Sequence, residues 1–213
     1  MESLESDNFK TILKARCICL TGGIATGKSF VGHYLRHLGY MCFDADQLAR
    51  TAVTKGKPAL ENIKNVFGLD VLRPDGSLDR LMLRRLITTD KSAKNDLEAI
   101  MHPAIFNEFK LAYAAEAPRN QNHQIFFYEA PVIHEVKRGS DFLEVWCTLC
   151  TQETQIKRLM GRDKNLVTID DAMALIRVQM PADEKARLST RVIDTNGSEE
   201  SVKLQLQHFL KDL

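Results

Sequence analysis

Gly22, four further residues and then Gly27-Lys28-Ser29 satisfy the spacing G-x-x-x-x-G-K-[ST], which has a physical purpose. Successive backbone N–H groups curl into a concavity, and the positive end of the following helix adds to their field, so polyphosphate is the ligand that fits. Gly22, Gly23, Ile24, Ala25, Thr26, Gly27, Lys28 and Ser29 are therefore candidate phosphate-contacting residues. Lys28 is expected to reach the terminal phosphates as a point charge, facing a ligand and not a core. The Ser29 hydroxyl is a hard-oxygen ligand suited to a magnesium ion held mostly by water and phosphate. A glycine-rich turn that merely joins strand to helix is the bland alternative. The specified positions and both flanks weigh against it, because Cys17-Ile18-Cys19-Leu20 reads as a buried strand and Lys28 to Leu38 as a helix.

Two carboxylates come next. The apolar run Tyr40-Met41-Cys42-Phe43 ends in Asp44-Ala45-Asp46, which puts both acids at the carboxyl end of a second strand, the edge where open α/β sheets bind ligands. The two acids are expected to have different jobs. One is expected to cap the helix that carries Leu48 to Val53 and the other to do chemistry. Glu129 follows the run Ile125-Phe126-Phe127-Tyr128, a position where phosphate-loop proteins commonly keep an acid near the metal. Between residues 157 and 191 stand eight Lys or Arg (157, 158, 162, 164, 177, 185, 187 and 191) against five Asp or Glu. An arginine-bearing helical flap there could bring charge to a transferring phosphoryl group, and Arg162 in Gly161-Arg162-Asp163 is the residue chosen for it. A solvated pair of charged helices is the plainer reading.

The elements that must position these groups follow from hydrophobic spacing. Residues 1 to 14 are polar and predicted to fray. Phe30, Val31, Tyr34, Leu35 and Leu38 recur at helical spacing, with Gly39 just past the end. From Pro58 to about Ala117 the pattern is helical, broken at Gly68 and Pro74-Asp75-Gly76. Its apolar faces are Leu60, Ile63, Val66 and Phe67, then Leu83, Leu86 and Ile87, then Leu97, Ile100 and Met101. His102-Pro103 inside it predicts a kink or a new helix start, and a lone His there is more often structural than chemical. A fourth strand runs through Val145 to Leu149, with Thr151 placed to cap the next helix. Thr168 to Asp171 forms a capping box for a helix that stops before Pro181. A fifth strand is Arg191 to Asp194, and a closing helix begins near Ser198.

At 213 residues and 44% hydrophobic, the chain suffices for a sizeable domain with insertions. Its net charge of +1 argues against a whole-surface attraction to nucleic acid or membrane. No apolar run reaches the roughly 18 to 20 residues that span a bilayer, and no signal-peptide pattern opens the chain. The expectation is a soluble cytoplasmic protein. Five cysteines spread over this length make no disulfide framework. Cys147 and Cys150 have metal-knuckle spacing, but without a second pair ordinary strand packing is the stronger reading. A regulatory GTPase would carry an Asn-Lys-x-Asp motif, which is absent; a zinc or nucleic-acid module has neither the basic surface nor the second ligand pair.

Several segments taken together resemble one family. They are Leu20-Thr21-Gly22-Gly23-Ile24 before Lys28-Ser29, Asp44-Ala45-Asp46-Gln47-Leu48-Ala49-Arg50, Leu78-Asp79-Arg80, His102-Pro103-Ala104-Ile105, and Val192-Ile193-Asp194-Thr195-Asn196. Over about Cys17 to Gly197 the chain is similar to dephospho-coenzyme A kinases, which use ATP to phosphorylate the ribose 3′-hydroxyl of dephospho-coenzyme A in the last step of coenzyme A synthesis. The resemblance implies an α/β fold, a P-loop core like that of nucleoside-monophosphate kinases, with a parallel five-stranded sheet, a helical substrate-binding insertion and a helical lid. Residues 15–56, 118–150 and 188–213 would form the core, 57–117 the acceptor-binding insertion and 151–187 the lid. ATP and Mg2+ are implied, the ion on Ser29. Asp46 is implied as the base, with Asp44 second, assisted by Lys28 and Arg162. Thr21, Asp44, Arg50, Arg80 and His102 are implied on the acceptor side. The partner is a small molecule, with no nucleic acid or membrane, and the protein a monomer or weak homo-oligomer. Two positions depart from the family pattern. Pro131-Val132-Ile133-His134-Glu135 stands where Pro-Leu-Leu-Phe-Glu is usual, and Ala25 where glycine is frequent.

Overall fold

Polar composition predicts a frayed start, yet Glu2–Arg16 is a helix (α1). Phe9 and Leu13, four apart on one face, are 3% and 2% exposed; Lys14 Nζ donates to Ser140 O at 2.6 Å and Arg16 Nε to Gln124 O at 2.8 Å. Two buried side chains at helical spacing thus anchor an otherwise polar segment. The structure, a computed structural model, describes residues 2–119, 124–162 and 168–213, with side chains from residue 7 onward.

After α1, Cys17–Gly22 (β1) leads through the glycine loop to Lys28–His37 (α2), and Cys42–Asp44 (β2) into Ala45–Ala52 (α3). Helices Pro58–Phe67 (α4), Arg80–Thr89 (α5) and Lys91–Glu116 (α6) precede Phe126–Glu129 (β3) and Glu144–Leu149 (β4). Gln152–Arg162 (α7), Ile169–Arg177 (α8), Ala182–Arg187 (α9), Arg191–Asp194 (β5) and Glu199–Lys211 (α10) complete the order. The five strands form one parallel sheet in the order β2-β3-β1-β4-β5. In register, Leu20 lies opposite Glu129 of β3, Gly22 opposite Thr148 of β4, and Trp146 opposite Arg191 of β5. A central parallel strand is covered on both faces, which is why β1 is buried at all six residues.

Two compact units result, Met1–Cys42 with Asn120–Leu213, and Phe43–Arg119. The core of the first joins Ile18, Leu20, Val31, Leu35, Phe127, Trp146, Ile193, Val202 and Leu206. Trp146 meets Phe127 and Phe209 edge-on at 5.4 and 5.5 Å. The second unit, which opens with the end of β2 and α3, packs Val53, Leu60, Ile63, Val71, Leu78 and Leu83 together. Val66, predicted on that face, is instead 53% exposed, on the shoulder of the stripe. Pro103 begins no new helix and lies inside the single helix α6. Among the described residues no helix is long and apolar enough to cross a membrane.

Candidate active site

β1 delivers the chain to the loop at Gly22, which has to be bare: an added Cβ would run into Thr148 Oγ1 of β4 and lie 2.6 Å from Thr26 Oγ1. Thr26 Oγ1 donates to Gly23 O at 2.8 Å and is 2.8 Å from Thr148 Oγ1, while Thr195 Oγ1 donates to Thr26 O at 2.7 Å. Gln155 Nε2 donates to Ile24 O at 2.7 Å, and Arg158 Nη1 to Ala25 O at 3.3 Å. Side chains of the scaffold thus take up the loop's carbonyls. Two of its amides are engaged, Ile24 N–H with Gln179 Oε1 at 2.8 Å and Thr26 N–H with Gly23 O at 3.3 Å. The amides of Ala25 and Gly27 have no hydrogen-bond partner among the described residues, and those of Lys28 and Ser29 are first-turn donors of α2 that no helix satisfies. Open donors at a helix N-terminus make an anion site.

Lys28 does not stand alone before a ligand as the motif suggests. Its Nζ lies 3.4 Å from Glu129 Oε2, and Arg36 Nη2 bonds the other oxygen of the same carboxylate. Glu129 keeps only 3% of its side chain exposed and rests on Gly32, where a Cβ would collide with the carboxylate. A buried carboxylate requires such pairing, since an isolated charge out of water is costly. Glu129 is thus engaged by two cations. Ser29 is exposed and its hydroxyl has no partner among the described residues.

Three cations of the segment 157 to 191, Lys185, Arg187 and Arg191, are held in ion pairs, and Arg158 is held by the loop. Arg158 also grips Thr195 O and Oγ1, at 2.6 and 3.2 Å. Lys185 is wholly buried, donating to Pro131 O and pairing with Glu135 at 2.7 Å. Arg187 pairs with Asp183 at 3.1 Å, and Arg191 with Glu144 and Asp212 at 3.0 and 2.9 Å. Arg162, in the last turn of α7, is exposed with no ion pair among the described residues. Asp163 and Lys164 lie outside the described residues. The capping box is present, with Asp171 N–H donating to Thr168 Oγ1 at 3.1 Å and Thr168 N–H to Asp171 Oδ2 at 3.1 Å.

In the helical unit the two acids separate as capping chemistry demands. Asp44 Oδ1 accepts Asp46 N–H at 2.7 Å and Gln47 N–H at 3.2 Å, so it starts α3 at once. Asp46 is therefore not on a strand but in the first helical turn, exposed, its carboxylate without a partner among the described residues. Arg50 is exposed in the last turn of α3 and His102 exposed on α6. Arg80 opens α5 behind Asp79, whose Oδ1 accepts Leu81 and Met82 N–H, both at 3.0 Å; those bonds hold the Asp79 carboxyl below its ordinary range. With Arg84, which sequence reasoning did not single out, Arg80 lines a cavity of about 150 Å3 whose other walls are Val53, Leu78, Leu83, Ile87, Leu97 and Met101. Thr21, expected on the acceptor side, is fully buried, its hydroxyl donating to Pro131 O at 3.4 Å.

Cys147 packs inside β4, where burial pushes its thiol up to about 11. Cys150 follows the strand, also buried. Sequence reasoning missed Thr148, Gln155 and Gln179 and did not connect Arg158 or Thr195 to the loop, which all five touch. Thr148 could have been found as the polar residue of an apolar strand, and Gln155 with Arg158 as an i, i+3 pair on one helix face.

Fold and loop define the class, a phosphate-loop α/β protein built to hold a nucleoside polyphosphate. A family profile described as Dephospho-CoA kinase matches residues 16–201. The chain is 40% identical over 200 residues to the dephospho-CoA kinase of Anaeromyxobacter dehalogenans, covering 93% of this chain and 92% of the relative. It resembles a crystal structure from Thermus thermophilus at TM-score 0.77 and 29% identity, over 93% and 97% of the two chains. The dephospho-CoA kinase of Campylobacter jejuni superposes at TM-score 0.65 and 26% identity, over 92% and 98%. The chain belongs to the dephospho-CoA kinase family and is, accordingly, an ATP-dependent phosphotransferase of coenzyme A biosynthesis.

Proposed function

We propose that the chain transfers the γ-phosphoryl group of ATP to the ribose 3′-hydroxyl of dephospho-coenzyme A, with the roles divided as follows. The amides of Ala25, Gly27, Lys28 and Ser29 and the Lys28 ammonium hold the β and γ phosphates. Asp46 takes the proton of the 3′-hydroxyl as its oxygen bonds to phosphorus and the bond to the β-phosphate oxygen breaks, releasing ADP. Phosphoryl transfer needs positioning and charge neutralisation more than covalent chemistry, and the observation that carries this reading is the set of open amides behind Lys28.

Asp46 suits the base because its carboxylate is exposed and unspent, whereas Asp44 is used as a cap. Arg162 suits the cation that meets the phosphoryl group because it is exposed with no ion pair among the described residues, whereas Lys185, Arg187 and Arg191 are paired. Magnesium keeps several waters and takes one or two protein ligands, so the unengaged Ser29 hydroxyl fits it without a cage of acids; bound there, the ion would neutralise phosphate charge. Arg50, Arg80 and His102 face solvent and suit the acceptor's phosphates, with Arg84 beside Arg80. Asp44 is used as the cap of α3 and Thr21 in a buried hydrogen bond, so each supports its own segment. The described cysteines form no disulfide, as suits a reducing compartment, and a cytoplasmic monomer or weak homo-oligomer completes the reading.

ADP release measured with a panel of hydroxyl acceptors tests the assignment. Turnover with dephospho-coenzyme A far above that with adenosine, pantetheine or shikimate is expected. A different preferred acceptor would overturn it.

A further inference from the structure

Ile24 is held at both its peptide groups. Gln155 Nε2 of α7 donates to its carbonyl at 2.7 Å, and its N–H donates to Gln179 Oε1 at 2.8 Å. Gln179 follows α8, and a second set of ties begins one residue later. Met180 N–H donates to Glu135 Oε1 at 3.3 Å, and the same oxygen pairs with Lys185 Nζ at 2.7 Å. The Lys185 side chain is 0% exposed and also donates to Pro131 O. A buried ammonium seated between a carboxylate and a carbonyl cannot drift without leaving a charge unsatisfied. Gln179 therefore hangs from a fixed base. The loop also lies close under α9, since a Cβ placed on Gly23 would be 3.6 Å from Ala182 Cβ.

The residue after Ile24 needs this hold. Ala25 has φ 58°, in the left-handed region, where a Cβ crowds the backbone and only glycine sits freely. Its carbonyl receives Arg158 Nη1 at 3.3 Å. We propose that Gln155 and Gln179 are positioning residues that lock the Ile24 peptide groups, keep Ala25 left-handed and so set the open amides before polyphosphate arrives, with the Lys185 and Glu135 pair as the anchor of Gln179. The inference rests on the reading of this loop as the ATP site. Without the two glutamines Ala25 relaxes toward a right-handed conformation, and the nucleotide has to restore the loop on binding. Preorganisation removes that ordering step.

Gln179→Met keeps the length of the side chain and removes the acceptor; ATP affinity by calorimetry, kcat, KM and the unfolding midpoint are measured together. ATP should bind about tenfold more weakly, the size of the left-handed penalty for one alanine. The turnover number at saturating ATP should stay within about twofold, because ground state and transition state use the loop alike. Adding Ala25→Gly should restore most of the affinity, because glycine adopts the left-handed conformation without the glutamine. A purely structural role for Gln179 would gain nothing from glycine at position 25. Gln155→Met is the independent arm if Gln179→Met does not fold, with the same weakening and the same rescue expected. Unchanged ATP affinity in the folded glutamine variants, or a loss that Ala25→Gly leaves unrepaired, overturns the inference. A wild-type protein that binds no ATP overturns the reading of the loop instead.

Discussion

Glu129, with 3% of its side chain exposed between Lys28 and Arg36, and Asp46, exposed on the first turn of α3, are both acids of the same enzyme held in opposite ways. Around the phosphate loop scaffold side chains, from Thr148 to Gln155 and Arg158, tie down its carbonyls and the Thr26 hydroxyl and leave the amides assigned to phosphate open. In the helical unit Phe43–Arg119 the groups assigned to the acceptor stand in water, and the ties belong to caps such as Asp44 and Asp79. A polyphosphate is recognised by fixed amides, which only a rigid cradle can aim. A larger acceptor leaves its contacts to long exposed side chains, whose conformational entropy is lost when the substrate arrives. The lesson is that substitutions in the first region should change binding and stability together, whereas in the second they should separate.

The largest effect tests the cradle. Lys28→Ala should lower kcat by about 10³ to 10⁵-fold, the range for a cation on the transferring phosphoryl group. It should also shift the unfolding midpoint measurably, because Glu129 loses one of its two partners; a stability identical to wild type would break the comparison. Next comes the base. Asp46→Asn should reduce kcat by about 10² to 10⁴-fold with ATP affinity and unfolding midpoint unchanged. Asp44→Ala should instead lower stability by about 1 kcal/mol, the usual value of an N-cap. If Asp44→Ala removed turnover and Asp46→Asn kept it, the two roles would be exchanged.

Smaller is a pH effect at His134, whose Nε2 lies 2.9 Å from Ser189 Oγ. Burial, and then the nearby Lys185 charge, hold its pKa below the ordinary value, with Glu135 opposing. The unfolded chain then binds the proton more readily, so stability should fall as pH drops below about 6.5 and be fully present above it. Urea midpoints across that range should show the slope, and His134→Asn should flatten it. The smallest effect is local. Asp75 Oδ1 accepts Ser77 hydroxyl and N–H at 2.6 and 2.9 Å, which lowers its carboxyl to about 2. Its contribution is present above the unfolded value of about 3.9 and lost as pH falls through the folded one. In Ser77→Ala an NMR titration should find that carboxyl closer to its ordinary value, with turnover untouched.

Much of this enzyme is written in runs of neighbouring residues, because the forces that shape them are short in range. Glycine and lysine spacing marks the loop, apolar runs mark four of the five strands to within a residue or two, and Ser198, Thr168 and Pro181 mark helix ends. The second strand is shifted along its apolar run, starting at Cys42 and ending at Asp44. That Asp44 or Asp46 caps a helix is a local inference, and Asp44 proves to be the one. Tertiary structure alone decided the rest. No periodicity reveals that Arg36 reaches Glu129, 93 residues away, or that Lys185 is buried instead of facing solvent. The polar face of α1 hides two anchors, and Gln179 meets Ile24 across 155 residues of chain. A long polar side chain looks the same in sequence whether it ends in water or on a backbone amide. Which of the two it does depends on what the folded sheet brings within hydrogen-bond reach, and burial then makes that partner obligatory.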